Sequence, residues 1–600
     1  MDILGISCFY HDSAAALIRD GVLIAAAEEE RFTRKKHDHS YPARAIEFCL
    51  RMAGIAAADL DYVVFYEKPL VKFERILMTT LGAYPKAWRV FPEAMVAWFN
   101  EKLWVKGVIV RRLGIAANRI LFTEHHLSHA ASALFCSPFD EAAILTIDGV
   151  GEWTTAAIGR GRANWNGAGT NQIELSGEVR FPHSLGLLYS AFTAFLGFEV
   201  NEGEYKVMGM APYGQPRYMD EVYKLVRVNG DGSFRLNMEY FSFYHSTEQT
   251  YNQKFADLFG APRERESEFY TLTTHPQRDH PQWDNRSADA NQKYADIAAS
   301  IQRVTEEMIL QMARHAHAIT GSKKLCMAGG VALNSVANGR IVRETPFEEL
   351  FIQPAAGDSG GALGAALYAY HVLLNQPRKF VMEHCYWGQG YSESEVADFL
   401  RANDIPHERF ADEDHLLDRV VDGLTQGKVA GWFRGRFEWG PRALGNRSII
   451  ADPRNAEMKN IVNAKIKFRE PFRPFAPVIL EERTSEYFDL PHAETQIPAR
   501  FMLLVAPIRA DKQDTIPAVN HMGTGRLQTI RRATNDAYYR VVEKFGDATG
   551  VPVLMNTSYN LRGEPIVASP ADALKTFNHS GLDMLVMSPF LIGKHDKEAR

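Results

Sequence analysis

Six hundred residues are too many for a single hydrophobic core, so two or more domains are expected. A formal charge of −6, with 46% hydrophobic and 23% charged residues, fits a folded globular chain and excludes an overall attraction to nucleic acid or anionic membrane. The cysteines, Cys8, Cys49, Cys136, Cys326 and Cys385, form no C-x-x-C pair, which argues against a zinc ribbon or disulfide framework; with no run of about 18 apolar residues, and with Asp2 and His11-Asp12 interrupting the apolar start, a cytoplasmic protein is expected.

In chain order, residues 3–9 read as an apolar strand, followed by the polar turn Tyr10-His11-Asp12-Ser13, a second strand over 14–18, a tight turn and a third strand over 22–27. A cluster of both charge signs, 28–39, precedes an amphipathic helix over 42–53. Residues 70–113 are apolar, aromatic and basic; they read as helices packed on the core or at a subunit interface, the candidate surface for a homodimer. Trp88, Trp98 and Trp104 within them read as packing residues.

Residues 123–148 are the stretch around which the chain is organised. His125 and His129 stand four apart, which on a helix aims two imidazoles at one point, and Leu127, Ala130, Ala131 and Leu134 supply the stripe that seats it. Thr123 is the expected cap and Pro138 the stop. Alone, such a pair serves packing as readily as metal binding. The zinc-protease pattern H-E-x-x-H is excluded, because His126 stands where its glutamate would be. A buried strand over 142–147 then delivers Asp148 into the turn Gly149-Val150-Gly151, and a His-x-x-x-His pair with a strand-end aspartate suits iron, manganese or zinc. A second strand over 153–158 makes this stretch a loose echo of the N-terminus, with Asp12 at the tip of one strand-turn-strand and Asp148 at the other, as a duplicated core would give.

A helix is expected over 181–198, a glycine-rich loop covering a site over 201–214, and a polar surface insertion suited to a lid over 262–289, with His275 and His280. A long helical pattern over 294–320 leads to a strand over 324–327 and the turn containing Gly329, Gly330 and Asn334, where glycine lets backbone approach a ligand, although such turns also serve packing. A strand over 351–353 runs into Gly357-Asp358-Ser359-Gly360-Gly361, making Asp358 a fourth candidate metal ligand. The alternation is α/β, with a boundary near 376–379 and a second α/β unit beyond it. There, residues 434–473 hold ten Lys or Arg and four Asp or Glu, interleaved with turn residues and without an aromatic ladder for bases. Converging arginines suit a small, multiply charged anion such as a phosphate ester, and the strand ending Asn556-Thr557-Ser558 offers neutral donors to the same pocket. These features together describe transferase or ligase chemistry on phosphorylated substrates.

The stretches I-L-G-I-S-C-F-Y-H-D-S-A-A-A-L, A-A-E-E-E-R-F-T-R-K-K-H, E-H-H-L-S-H-A, L-T-I-D-G-V-G-E, Y-K-V-M-G-M-A-P-Y-G, G-G-V-A-L-N-S, A-A-G-D-S-G-G-A-L-G-A, G-R-F-E-W-G-P-R-A-L-G-N-R-S-I and N-T-S-Y-N resemble, in order, the O-carbamoyltransferases of antibiotic, toxin and nodulation-factor biosynthesis, of the tobramycin, cephamycin and saxitoxin type. The resemblance implies a duplicated actin-like ATPase domain over 1–375, akin to threonylcarbamoyl transferases, and a YrdC-like α/β domain over 376–600 that makes carbamoyl-adenylate from carbamoyl phosphate and ATP. It implies that His125, His129, Asp148 and Asp358 hold a divalent metal, with iron(II) the native ion and Mg²⁺ accompanying ATP. Gly329, Gly330 and Asn334 would lie at a nucleotide site. Arg442, Arg447, Lys467, Arg473, Asn556 and Ser558 would form the carbamoyl-phosphate and adenylate-forming site, and His11 and Asp12 would act on the acceptor. The acceptor would be a hydroxyl of a small molecule, with no nucleic acid and no membrane as partner. Hydrogenase-maturation relatives carry an acylphosphatase domain and C-x-x-C fingers that this sequence lacks. A kinase of the actin-like fold is the competing enzyme, although such kinases hold Mg²⁺ through water and acids, not paired histidines. A non-enzymatic nucleotide-binding scaffold is the competing binder.

Overall fold

Ile3, Leu4 and Ile6 are apolar and fully buried, and in the computed structural model this run is an interior strand of a five-stranded sheet. The structure describes residues 1–594 except 89, 101, 166, 168 and 275–281, so His275 and His280 of the expected lid lie outside the described residues. Tertiary contacts divide the chain into a first unit, Met1–Ile24, His39–Pro42 and Cys49–Val381, and a second, Ala25–Asp38, Ala43–Phe48 and Met382–Arg600. The second unit is therefore not one continuous C-terminal stretch. Among the described residues no helix is long and apolar enough to cross a membrane.

The first sheet holds β1 (Asp2–Ser7), β2 (Ala14–Arg19), β3 (Val22–Glu28), β4 (Tyr62–Phe65) and β5 (Ile120–Phe122) in the order β3-β2-β1-β4-β5. β1 runs antiparallel to β2, with Ile3 opposite Ile18, and parallel to β4, with Ile3 opposite Tyr62. The second sheet holds β6 (Glu141–Ile147), β7 (Thr154–Arg162), β8 (Gln172–Arg180) and, past a small hairpin of β9 (Val226–Val228) and β10 (Phe234–Leu236), β11 (Lys324–Ala328) and β12 (Glu349–Phe351). Its order is β12-β11-β6-β7-β8, with β6 antiparallel to β7 and parallel to β11. Both sheets have one plan: the second and third strands flank the first on one side, and two later parallel strands flank it on the other. This is the duplication expected of an actin-like N-terminal region, and it places the His11-Asp12 turn and the Asp148 turn at equivalent ends of β1 and β6.

The helices that position the site are α1 (Pro69–Gly82), α2 (His125–Leu134), α3 (Leu185–Phe195), α4 (Asn285–Thr320), α5 (Ser335–Glu344) and α6 (Asp358–Tyr368). α6 packs on β1 and β2, α2 packs on α6, and α2 also packs on β6 and β11. Small residues permit this closeness: a Cβ on Gly364 of α6 would lie 1.8 Å from Ser128 O of α2, and one on Gly5 1.8 Å from Ala362 O. Two expectations change. The glycine-rich 201–214 stretch is not an open loop but holds a short helix, Glu204–Met210, whose Val207 and Met210 are buried in a helix that packs on α4. Of the tryptophans, Trp98 is buried against Tyr10 and Phe73, whereas Trp88 and Trp104 are exposed.

The second unit is built on a nine-stranded mixed sheet of β13 (Glu408–Arg409), β14 (Ala430–Phe433), β15 (Arg447–Ala451), β16 (Ala476–Leu480), β17 (Leu504–Pro507), β18 (Thr524–Ile530), β19 (Val553–Ser558), β20 (Met584–Met587) and β21 (Phe590–Gly593), ordered β13-β21-β20-β14-β15-β19-β16-β18-β17. Leu416, Leu417 and Val420 of helix α7 (Glu413–Thr425) and Tyr538, Val542 and Phe545 of helix α8 (Asp536–Thr549) bury one face of it against Trp432, Val478 and Leu554.

Candidate metal centre and anion pocket

α2 is buried along nearly its whole length, and both ligand-type histidines lie inside it, His125 1% and His129 0% exposed. Its cap is not Thr123, whose hydroxyl is turned to Ser128 Oγ; Glu124 takes the cap position without a side-chain bond, and the His125 amide donates to the Glu152 carboxylate at 3.0 and 3.1 Å. A carboxylate there offsets the positive end of the helix. The four donors converge. His125 Nε2 and His129 Nε2 are 3.0 Å apart. Asp148 Oδ2 lies 2.9 Å from the first and 3.6 Å from the second, and Asp358 Oδ1 3.6 and 3.8 Å. All four ligand atoms fall within 4.8 Å of one another. Bonds of about 2.1 Å to a shared ion give ligand–ligand edges of about 3.0–3.4 Å, so the spacing fits one cation with two imidazole and two carboxylate donors, the set a borderline divalent metal takes.

Burial opposes the charge on His125, but its hydrogen bond to Asp148, the neighbouring Glu67 carboxylate and the charge of Asp358 lift it to about 10. Burial likewise opposes the Asp148 carboxylate, and the two histidines hold it well below its ordinary value, while burial and the Asp148 charge push Asp358 up. A cation entering here would replace those protons, so its binding releases them. Asp148 is fixed from behind: its Oδ1 accepts from Gly330 N at 2.9 Å, and a Cβ at Gly330 would sit 3.0 Å from that oxygen. Gly329, at φ +95°, abuts Ile147 O. Asn334 caps α5 by accepting from Ala337 N at 3.2 Å and is paired with Gln302 of α4 at 3.1 Å. Thus Gly329 and Gly330 border the cluster, and Asn334 organises the helix behind it.

His11 and Asp12 are partly buried in the β1–β2 turn; His11 Nδ1 meets Asp12 Oδ2 at 2.8 Å and Nε2 meets Asn201 O at 2.9 Å. Two groups that sequence reasoning missed surround His125. Glu67, just past β4, is 0% exposed; its Oε2 accepts from Lys72 Nζ at 2.7 Å and lies 3.6 Å from His125 Nδ1. Glu152 was present in the motif L-T-I-D-G-V-G-E, but nothing in its spacing ties it to α2.

In the second unit, Lys467 is nearly buried and its ammonium donates to Ser558 O (2.9 Å) and Oγ (3.2 Å) and to Asn560 O (2.8 Å) and Oδ1 (2.6 Å). Burial, then the charges of Arg469, Arg473 and Lys36, press Lys467 well below the ordinary lysine value. Arg473 pairs with Glu470 Oε2 at 2.5 Å. Asn556 lies on β19 two residues before Ser558 and thus on the same face; its amide donates to Gln528 Oε1 at 2.6 Å and Ala443 O at 3.2 Å, next to the half-buried Arg442. Arg447 is fully buried and committed to the carbonyls of Arg434, Asn446 (2.9 Å), Gly435 (3.1 Å) and Gln389 (3.3 Å) over the Phe433 ring, so it shapes the 434–447 loop. Asn560 is the member of this pocket that sequence reasoning missed.

Similarity to known proteins extends along the whole chain. An uncharacterized protein of Synechocystis is 46% identical over 99% of this chain and 96% of that protein. Nodulation protein NolNO of Sinorhizobium fredii is 37% identical over 98% of this chain and 79% of that one, and nodulation protein NolO of Bradyrhizobium diazoefficiens 37% identical over 78% of each. Among solved structures, component A of (R)-2-hydroxyglutaryl-CoA dehydratase from Acidaminococcus fermentans is 15% identical over 62% of this chain and 98% of that chain at a TM-score of 0.32. HypF of T. kodakarensis is 13% identical over 63% and 48% at 0.29. At such scores the fold is read from the strand order alone. Residues 2–367 match the family model "Carbamoyltransferase N-terminus" and residues 421–594 match "Carbamoyltransferase C-terminus". The chain is an enzyme of the carbamoyltransferase family.

Proposed function

We propose that the enzyme is an ATP-dependent O-carbamoyltransferase working in two stages. In the first, carbamoyl phosphate and water give carbamate and phosphate; a carbamate oxygen then attacks the α-phosphorus of ATP, forming carbamoyl-adenylate and releasing pyrophosphate. In the second, a hydroxyl oxygen of a small natural-product acceptor attacks the carbamoyl carbon, the bond to AMP breaks, and the hydroxyl proton passes to a base. The observation that carries the reading is that the N-terminal family match covers the first unit together with residues 25–38 and 43–48 of the second, the C-terminal match lies within the second, and each unit holds a site of suitable charge.

On this reading the second unit is the YrdC-like, adenylate-forming domain. Lys467, Arg473 and Arg442 offset the negative charge of carbamoyl phosphate and ATP–Mg²⁺, and Asn556 and Ser558 set the pocket's neutral wall. A phosphate beside Lys467 would also relieve the repulsion from Arg469 and Arg473. The actin-like unit carries out the transfer, with Gly329, Gly330 and Asn334 on its nucleotide side and His11 and Asp12 on its acceptor side. A divalent ion, with iron(II) the proposed native one, would be held by His125, His129, Asp148 and Asp358 and would supply Lewis acidity toward a phosphate or carbonyl oxygen.

The test is a product assay on iron-loaded protein with ATP and carbamoyl phosphate and no acceptor. Pyrophosphate release that requires carbamoyl phosphate and is lost in Arg442→Ala is the expected outcome. ADP release, or no nucleotide turnover, would favour the kinase or the scaffold.

A further inference from the structure

His125 is held on every side, yet one of its atoms has no bond. Its Nε2 faces His129, Asp148 and Asp358. Its amide is taken by Glu152. Its ring is backed by Gly151, where a Cβ would come within 3.0 Å, and by Tyr66, 5.3 Å away between centroids. Its Nδ1 is buried without a hydrogen-bond partner, and so is Glu67 Oε1. The other oxygen of that carboxylate, Oε2, stands 3.6 Å from Nδ1. The carboxylate thus stands beside the unbonded ring nitrogen, just beyond hydrogen-bond reach of it. Resting on the reading of the cluster as a metal site, we propose that Glu67, anchored by Lys72, is a positioning residue that accepts the Nδ1 proton of His125 and so keeps the Nε2 lone pair turned into the cluster.

Lys72 explains why Glu67 is an acceptor and not a further ligand. Its Nζ binds Glu67 Oε2 at 2.7 Å and rests 3.1 Å from the centroid of the Tyr10 ring, and both members of the pair are buried. The ammonium balances a carboxylate that would otherwise add to the negative charge of Asp148 and Asp358, and it ties that carboxylate to the Nδ1 side of the ring. His129 has no such partner: its Nδ1 is also unbonded, with no carboxylate within ion-pair range of it among the described residues. The two histidines are therefore unequal ligands, and His125 is the one whose tautomer is set by the protein. Carboxylates placed behind metal-bound histidines typically contribute about 10–100-fold to metal affinity.

The experiment is cobalt(II) binding to the full-length protein, followed by visible absorption and by competition with a chelator, in wild type, Glu67→Gln, Glu67→Asp and His129→Ala. Glu67→Gln is expected to weaken cobalt affinity about 10–100-fold and shift the absorption bands. Glu67→Asp keeps the charge and the lysine but withdraws the carboxylate by one methylene, so it is expected to lose less, in the same direction. If the glutamine variant does not fold, the aspartate variant alone decides. Wild-type affinity and spectrum in the folded Glu67 variants overturn the inference. Cobalt binding that is undiminished in His129→Ala overturns instead the metal reading on which it rests.

Discussion

His11 and His126 show how neighbours decide the chemistry of a residue. His126 Nε2 faces the Thr154 carbonyl at 2.9 Å and must donate to it, while Nδ1 meets the Thr146 hydroxyl at 2.7 Å. Burial, then the charges of His125 and His129, press it to about 3, so it is a neutral structural group. His11 has one nitrogen on the Asn201 carbonyl and the other on the Asp12 carboxylate, which makes both of them donors, the imidazolium arrangement. Burial opposes that charge, but the Asp12 bond and charge outweigh it and lift His11 to about 9. The stabilising pair is thus complete below the ordinary value of 6.5 and is lost as pH rises through about 9. A histidine already protonated at neutral pH cannot take a proton, so on the proposed function Asp12, and not His11, is the base to test. The transfer rate is expected to show no climb as pH rises toward 9, and Asp12→Asn to slow transfer by about 10²–10⁴ while leaving acceptor-free pyrophosphate release unchanged. A rate that climbs through pH 9 would make neutral His11 the base. At this scale the sequence made the four cluster residues legible, the histidines through their spacing and the aspartates through their glycine-framed strand ends. Glu67 was not legible, because only the parallel pairing of β4 with β5 brings it to His125.

Between elements, the contact that sets the cluster is α2 against α6, since α2 carries both histidines and α6 begins with Asp358. Their separation is limited by Gly364, whose added Cβ would lie 1.8 Å from the Ser128 carbonyl oxygen and 3.0 Å from the Ser132 Cβ. A backbone oxygen on a buried helix cannot rotate away, so the helices must part. Gly364→Ala is expected to cost about 1–3 kcal/mol, seen as a lower thermal midpoint, and to weaken cobalt binding by moving Asp358 from the histidines. An unchanged midpoint with unchanged affinity would show that the helices can slide without consequence. Nothing in the run A-A-G-D-S-G-G-A-L-G-A says which glycine meets a neighbour; alanine in a helix would read equally well. The strands were easier: the expected 14–18 and 324–327 runs recur as Ala14–Arg19 and Lys324–Ala328, because buried β-rich runs bounded by turns have few other uses. The Glu204–Met210 helix was missed because glycine propensity argued for a loop. Tertiary contact decided otherwise: Glu204 Oε1 accepts from Asn201 N at 3.0 Å and from Ser190 Oγ of α3 at 2.8 Å.

At the scale of the whole molecule, the second unit depends on residues from near the chain's start. Arg31, 2% exposed, donates to Gly440 O at 2.6 Å, and Gly440 N donates to Glu28 Oε1 at 2.7 Å. Arg34 donates to Ile566 O at 2.6 Å and Pro565 O at 2.7 Å and pairs with Asp572 at 3.3 Å. The rings of Phe32 and Phe48 lie 5.9 and 6.2 Å from that of Phe437. A fragment of residues 376–600 loses all of this at once. Leaving a buried polar group unbonded costs about 1–3 kcal/mol, and uncovering an aromatic side chain about 1.5–3 kcal/mol. Several such losses are comparable with the roughly 5–15 kcal/mol that holds a typical domain folded. The fragment is therefore expected to melt without cooperativity and to be cut rapidly by protease, and a fusion that supplies residues 25–48 is expected to restore a cooperative transition. Because Gly440 precedes Arg442 in the same loop, Arg31→Met in the full chain is expected to slow carbamoyl-phosphate-dependent pyrophosphate release while the cobalt spectrum of the first unit stays that of wild type. A fragment that melts at the wild-type midpoint would show instead that the N-terminal segments are passengers on a self-sufficient unit.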